Sequence, residues 1–99
     1  MVGTKLPKKF SADIRQKRQH MPRYFFDLAN GDGLTRDDMG VTLPMRQDLL
    51  LKEVSRILTD VAREELPGVS SGGIRVSVRD ERGETILVGS LDFQTRWNT

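Results

Sequence analysis

"LLKEVSRILTDVAREELPG", residues 50–68, decides how this chain folds. Leu50, Val54, Ile57, Leu58, Val61 and Ala62 recur at three- and four-residue spacing and form one apolar stripe, while Lys52, Glu53, Arg56, Asp60, Arg63 and Glu64 lie mainly off it. That period predicts an amphipathic helix, and Leu66-Pro67-Gly68 supplies its stop. Upstream, Arg23 to Leu28 is aromatic and aliphatic and reads as a strand; Asn30-Gly31-Asp32-Gly33 tolerates positive φ and turns the chain. A second short strand is expected over Leu34 to Asp37, a turn at Asp38-Met39-Gly40 and a third extended piece at Val41-Thr42-Leu43, with Pro44 in the first turn of the helix. Downstream, Ser70-Ser71-Gly72-Gly73 reads as a loop, and Ile74, Val76 and Val78 alternate with Arg75, Ser77 and Arg79 as a strand. Glu81-Arg82-Gly83-Glu84 makes a hairpin turn into a last strand, Thr85 to Gln94.

The order β-β-(β)-α-β-β predicts an α+β domain of two layers, an antiparallel sheet of four or five strands with one long helix on one face. Residues alternate faces along a strand, so Tyr24, Phe26 and Leu28 are expected to point toward the helix, as are Leu87, Leu91 and Phe93. One helix does not cover two faces. If the last strand lies beside the first, Ile86 and Val88 join Phe25 on the uncovered side, edged by Arg23, Arg75 and Arg79. These six residues are the candidate interaction face.

The 99 residues suit one domain, and a chain this short buries only about 60–65% of its unfolded surface, which leaves little room for a large internal cavity. It has no cysteine, hence no disulfide framework and no thiolate ligand or nucleophile, and no apolar run near the ~20 residues that span a bilayer. A soluble cytoplasmic protein is the expectation. The formal charge of +2 conceals an asymmetry. Residues 1–20 carry Lys5, Lys8, Lys9, Arg15, Lys17 and Arg18 against Asp13, a net of +5, and the rest of the chain has a net of −3. Residues 1–20 read as a basic flexible arm, with a short helix from an Ser11 N-cap to His20 as its one regular element; residues 21–99 are the domain. Met21 directly precedes the first strand, so a translation start there is the alternative reading, in which the arm is not part of the product.

Chemistry is sparse. His20, the sole histidine, lies in the arm and offers no base for a triad. Asp27, Asn30, Asp32, Asp37 and Asp38 lack calcium-loop spacing and read as turn-shaping residues. The pairs Asp37-Asp38, Glu64-Glu65 and Asp80-Glu81 are adjacent in sequence and diverge rather than converge on one cleft. Gly31-Asp32-Gly33 has no third glycine and no helix behind it, so it does not match a phosphate loop. No cofactor, metal or small-molecule substrate is indicated. Trp97 is expected to anchor the end of the last strand.

"MPRYFFD", "DDMGVTLP", "VAREELPG" and "VRDERGETILVGSLDF" resemble a family of short bacterial proteins known only as a domain of unknown function, whose members open Met-Pro-Arg-Tyr-Phe-Phe-Asp and close on a VRDE-x-G hairpin. The resemblance covers about Met21 to Phe93 and implies no activity, cofactor or catalytic residue. Two departures stand out: the basic arm upstream, and Leu50, Val54 and Ile57 where the family pattern has alanines, from which a helix standing farther from the sheet is expected. In layout alone, the hairpins and amphipathic helix are similar to small antitoxins of the HicB kind. The functional expectation is a non-catalytic interaction module that covers its open sheet face with a second copy or a protein partner. The alternative is nucleic-acid binding, in which Lys8, Lys9, Arg15, Lys17 and Arg18 contact phosphates and the Arg-bearing sheet face stacks bases.

Overall fold

Tyr24, 3% exposed, lies in the seam where the sheet meets the helix. It belongs to β1 (Arg23–Asn30), which is followed by β2 (Gly33–Thr35), β3 (Val41–Thr42), α1 (Gln47–Glu65), β4 (Ser71–Arg79) and β5 (Thr85–Gln94). The structure, a computed structural model, describes residues 21–98. The expected α+β architecture is present: one long helix on one face of a five-stranded antiparallel sheet of order β2-β1-β4-β5, with β3 pairing β1 on the same side as β2. The expected helix from Ser11 and the basic arm lie outside the described residues.

The core follows from the two periods. Leu50, Val54 and Leu58 of α1 are buried against Ile74, Val76 and Val78 of β4, with Phe26, Leu28, Leu87 and Leu91 packed around them. α1 lies over β4 and β5. Its start is unaided by a side-chain cap; Asp48 in the first turn suits the positive end of the helix, and Arg46 pairs with it at 2.6 Å. At the other end the Leu66 N–H still bonds the Ala62 carbonyl, and Gly68 at φ +89° turns the chain away.

Several expectations are corrected. The helix begins at Gln47 rather than around Pro44, whose carbonyl instead accepts the Arg46 N–H in a tight turn before it. β2 ends at Thr35, because Asp37 turns its side chain onto β1 instead of continuing the ladder. Ser71, Gly72 and Gly73 are not loop but the start of β4, held by pairing with Gln94, Phe93 and Asp92; cross-strand partners override the weak strand propensity of glycine. Trp97 is 91% exposed and anchors nothing. Most consequentially, β4 stands between β1 and β5, so β5 is an edge and does not lie next to the first strand.

The helix is accommodated at close range in spite of its bulky residues. Gly89 of β5 faces Val54, and a Cβ there would stand 2.5 Å from Val54 Cγ1 and 3.3 Å from Leu58 Cδ1. The missing side chain on the sheet makes room for the large one on the helix. Among the described residues, no helix is long and apolar enough to cross a membrane. Gly89→Ala is expected to cost about 1–3 kcal/mol by overpacking a stiff, buried valine, read as a lower midpoint in urea unfolding, and a further Val54→Ala is expected to recover part of it.

Candidate functional site

The face of the sheet away from α1 is organised around a buried charge pair. Asp27, 8% exposed, accepts from Arg79 Nε at 2.6 Å and from Arg79 Nη2 at 3.2 Å, across the Phe25–Arg79 and Asp27–Ser77 rungs of the β1–β4 ladder. The same guanidinium donates to the Asp37 carbonyl at 2.9 Å and lies 4.9 Å from the centre of the Phe25 ring. Asp37 closes the knot. Its N–H donates to Asp27 Oδ1 at 2.9 Å, its Oδ2 accepts the Phe26 N–H at 3.0 Å, and its Oδ1 accepts from Met39 and Gly40 at 3.1 and 3.0 Å. A carboxylate thus takes the place of a strand on β1 between β2 and β3. Gly40, at φ +74°, lets the chain pass so close that a Cβ would meet Arg23 Cγ and Phe25 Cε2 at 2.8 Å and the Tyr24 carbonyl at 2.9 Å. Arg23 Nη1 in turn donates to the Met39 carbonyl at 2.6 Å.

Electrostatics follow the bonds. The Arg79 hydrogen bonds hold the Asp27 carboxyl below its usual range against the opposing effect of burial. For Asp37, burial pushes upward and is outweighed by the Gly40, Phe26 and Met39 N–H donors, so it too titrates low. Every fully buried side-chain nitrogen and oxygen among the described residues has a partner. The knot therefore satisfies its fully buried polar atoms internally.

The six residues of the candidate interaction face do not form one surface. Phe25, Arg23 and Arg79 are drawn into the knot under Gly40. Arg75 and Val88 line a shallow hollow of about 440 Å³ with Ala29, Ser90 and Asp92. Ile86 is the extra residue of a bulge opposite Val78 and Arg79, and it lines a different site, with Leu50, Leu51 and Leu87. The expectation that Ile86 and Val88 join Phe25 is corrected in part: Val88 stands on the same open face, but β4 intervenes between it and Phe25, and the bulge re-aims Ile86. Lys8, Lys9, Arg15, Lys17 and Arg18 lie outside the described residues.

The site that Ile86 lines was not anticipated. It is a groove of about 830 Å³ between the start of α1 and the β4–β5 turn, walled by Pro22, Tyr24, Met45 and Leu51 and rimmed by Asp80 and Glu81. Burial, with Asp80 and Glu81 nearby, raises the Tyr24 hydroxyl above its ordinary value. A one-residue bulge has no sequence period, and this is why the groove was missed. Asn30 and Asp37 do shape turns as expected, accepting backbone N–H groups a few residues on, and Asp80 does the same without having been expected to; Asp27 instead pairs with Arg79 inside the sheet. Among the described residues, no three His, Cys, Asp or Glu side chains are placed to hold a metal.

A family model described as a domain of unknown function, DUF6894, matches residues 23–92. No curated protein and no solved structure matches the chain.

Two outcomes are expected of the knot. Gly40→Ala loses about 3 kcal/mol from positive φ and steric contact together, measured by urea unfolding. Because Asp27 and Asp37 have depressed values in the folded chain, their contribution is complete above the unfolded carboxylate range of about pH 4 and is lost as pH falls through the folded values. Asp27→Asn is expected to lower the unfolding midpoint at neutral pH and to flatten its decline below about pH 4; a decline parallel to wild type would contradict the assignment.

Proposed function

The chain belongs to this family of unknown function, and from its surface we propose that it is a small non-catalytic protein-interaction module that presents the β5 side of its sheet to a second copy or to another protein. The observation that carries this reading is how the surface is divided. On the β1 half of the open face Asp27, Arg79 and Asp37 are consumed in the knot, while exposed apolar side chains stand on both sides of the start of β5. Val88, 52% exposed, stands on the open face; Ile86 and Leu51, 45% and 54% exposed, stand by the groove. Exposed apolar side chains beside an open strand edge support protein recognition more than chemistry on a small solute. The absence of cysteine suits a reducing compartment, and we place the module in the cytoplasm on that ground.

The nucleic-acid alternative draws less support. Arg79 and Arg23 are bonded to Asp27, Asp37 and Met39, which leaves Arg75 as the open-face arginine still available, and it shares its hollow with Asp92. Stacking platforms need free aromatic faces, and one face of Phe25 is occupied by Arg79.

The test is a comparison of surface variants of the full chain. Val88→Lys is expected to reduce protein association, self or other, by about tenfold, whereas Glu64→Lys on the far side of α1 leaves it unchanged. Association unaffected by Val88→Lys, or captured material that is nucleic acid released by salt, would overturn the reading.

A further inference from the structure

The two edges of the sheet are built differently. On the β1 side, the strand edge is shared out in pieces: β2 takes Leu28 to Asn30, the Asp37 carboxylate takes the Phe26 N–H, and β3 takes Arg23 and Tyr24. Nothing long is left open there. On the other side β5 runs ten residues, Thr85–Gln94, and among the described residues pairs β4 alone. The usual devices that blunt an edge are scarce on it: no proline, no lysine, one charge at Asp92, and a bulge only at its start.

The hydrogen-bond phase of that edge can be read. Thr95 N–H bonds the Ser70 carbonyl, so Phe93, Leu91, Gly89 and Leu87 turn their backbone groups toward β4 in the alternating ladder. Gln94, Asp92, Ser90 and Val88 therefore point their N–H and C=O groups outward. We propose that this edge is completed by β5 of a second copy, antiparallel across a two-fold axis at Ser90, to give one continuous sheet through both chains. The inference rests on the reading that the β5 side recognises protein, and it names the partner.

Three features select this arrangement. An antiparallel self-pairing obeys two-fold symmetry and lets one surface complement itself, so it closes as a dimer rather than growing as a fibre. Charge agrees with direction. The hairpin end of β5 carries Asp80, Glu81 and Glu84 with Arg82, and the other end carries Arg96, so antiparallel strands bring acidic against basic ends twice, whereas parallel ones align like with like. Packing then selects the register. Two-fold axes at Gly89 or Ser90 give the greatest overlap; the first sets glycine against glycine, whereas the second sets Leu91 beside Gly89 of the second copy and Leu87 beside its Phe93. These are positions where side chains approach most closely. Val88 then bonds across to Asp92, and Ser90 to its own equivalent. Both helices stand on one face of the joined sheet, which extends the partly buried Leu87, Leu91 and Phe93 into a shared core.

The chain has no cysteine, so a single one is a clean reporter. Directly opposed residues in a hydrogen-bonded antiparallel pair have Cα atoms about 5.5 Å apart, within disulfide reach. Ser90→Cys is expected to form a disulfide-linked dimer under mild oxidation, and Asp92→Cys, opposed to Val88, to stay unlinked. By light scattering the full chain is expected at twice its 11.2 kDa. Ser90→Pro removes an outward N–H and no bond to β4, so it is expected to be folded by circular dichroism with association weakened about tenfold or more. A monomeric wild type that leaves Ser90→Cys unlinked overturns the inference. If Val88→Lys still abolishes binding of another protein in that case, the wider reading survives; if both fail, both fall. Equal cross-linking of Ser90→Cys and Asp92→Cys overturns the register.

Discussion

The pairing of Arg79 with Asp27 is the constraint on which the open side of this sheet depends. Among the described residues a single helix shields one face, and the residues opposite it on β1 and β4 include an acid and a base that are almost completely buried. Apart, each is a costly buried charge; together, and joined by the Asp37 backbone, they are satisfied. The pair does more than link two strands. Through Asp37 it pulls the Arg36–Gly40 segment onto the edge of β1, which sets where β2 stops and where β3 starts.

This arrangement also defines what the surface has to offer. The knot consumes Arg79 and Arg23 and one face of the Phe25 ring, groups that a polar binding face would use, and it does so on the β1 half of the sheet. The β5 half has no such device. There the bulge at Ile86 divides the apolar residues, sending one to the groove at the helix start and leaving Val88 on the open face, with an unpaired backbone between them. The interaction role proposed for the β5 side rests on this uneven distribution of polar satisfaction across one small sheet.

The close fit of α1 over Gly89 belongs to the same economy of size. In a chain of 99 residues the core is thin, and a helix lined with Leu50, Val54 and Leu58 stays near the sheet only where a strand gives up a side chain. The expectation that these bulky residues hold the helix off was reasonable for the helix alone; the compensating glycine sits 35 residues downstream, visible as a complement only when β5 is placed beneath the helix.

From sequence alone the elements and their buried faces were legible, because periods of two and of three to four residues are local properties of a chain folding against a single core. Tyr24, Leu50, Val54, Leu58, Ile74, Val76 and Val78 are the core that those periods indicate. The candidate face was legible only in part: Phe25, Arg75, Arg79 and Val88 were identified as lying away from the helix, but strand order, the bulge that re-aims Ile86 and the destination of Arg79 were not. Those depend on contacts between residues far apart in the chain, 52 positions for Arg79 and Asp27. Such contacts leave no periodic trace, since what selects them is the cost of leaving a buried charge or an open strand edge unpaired, and that cost exists only once the layers have come together.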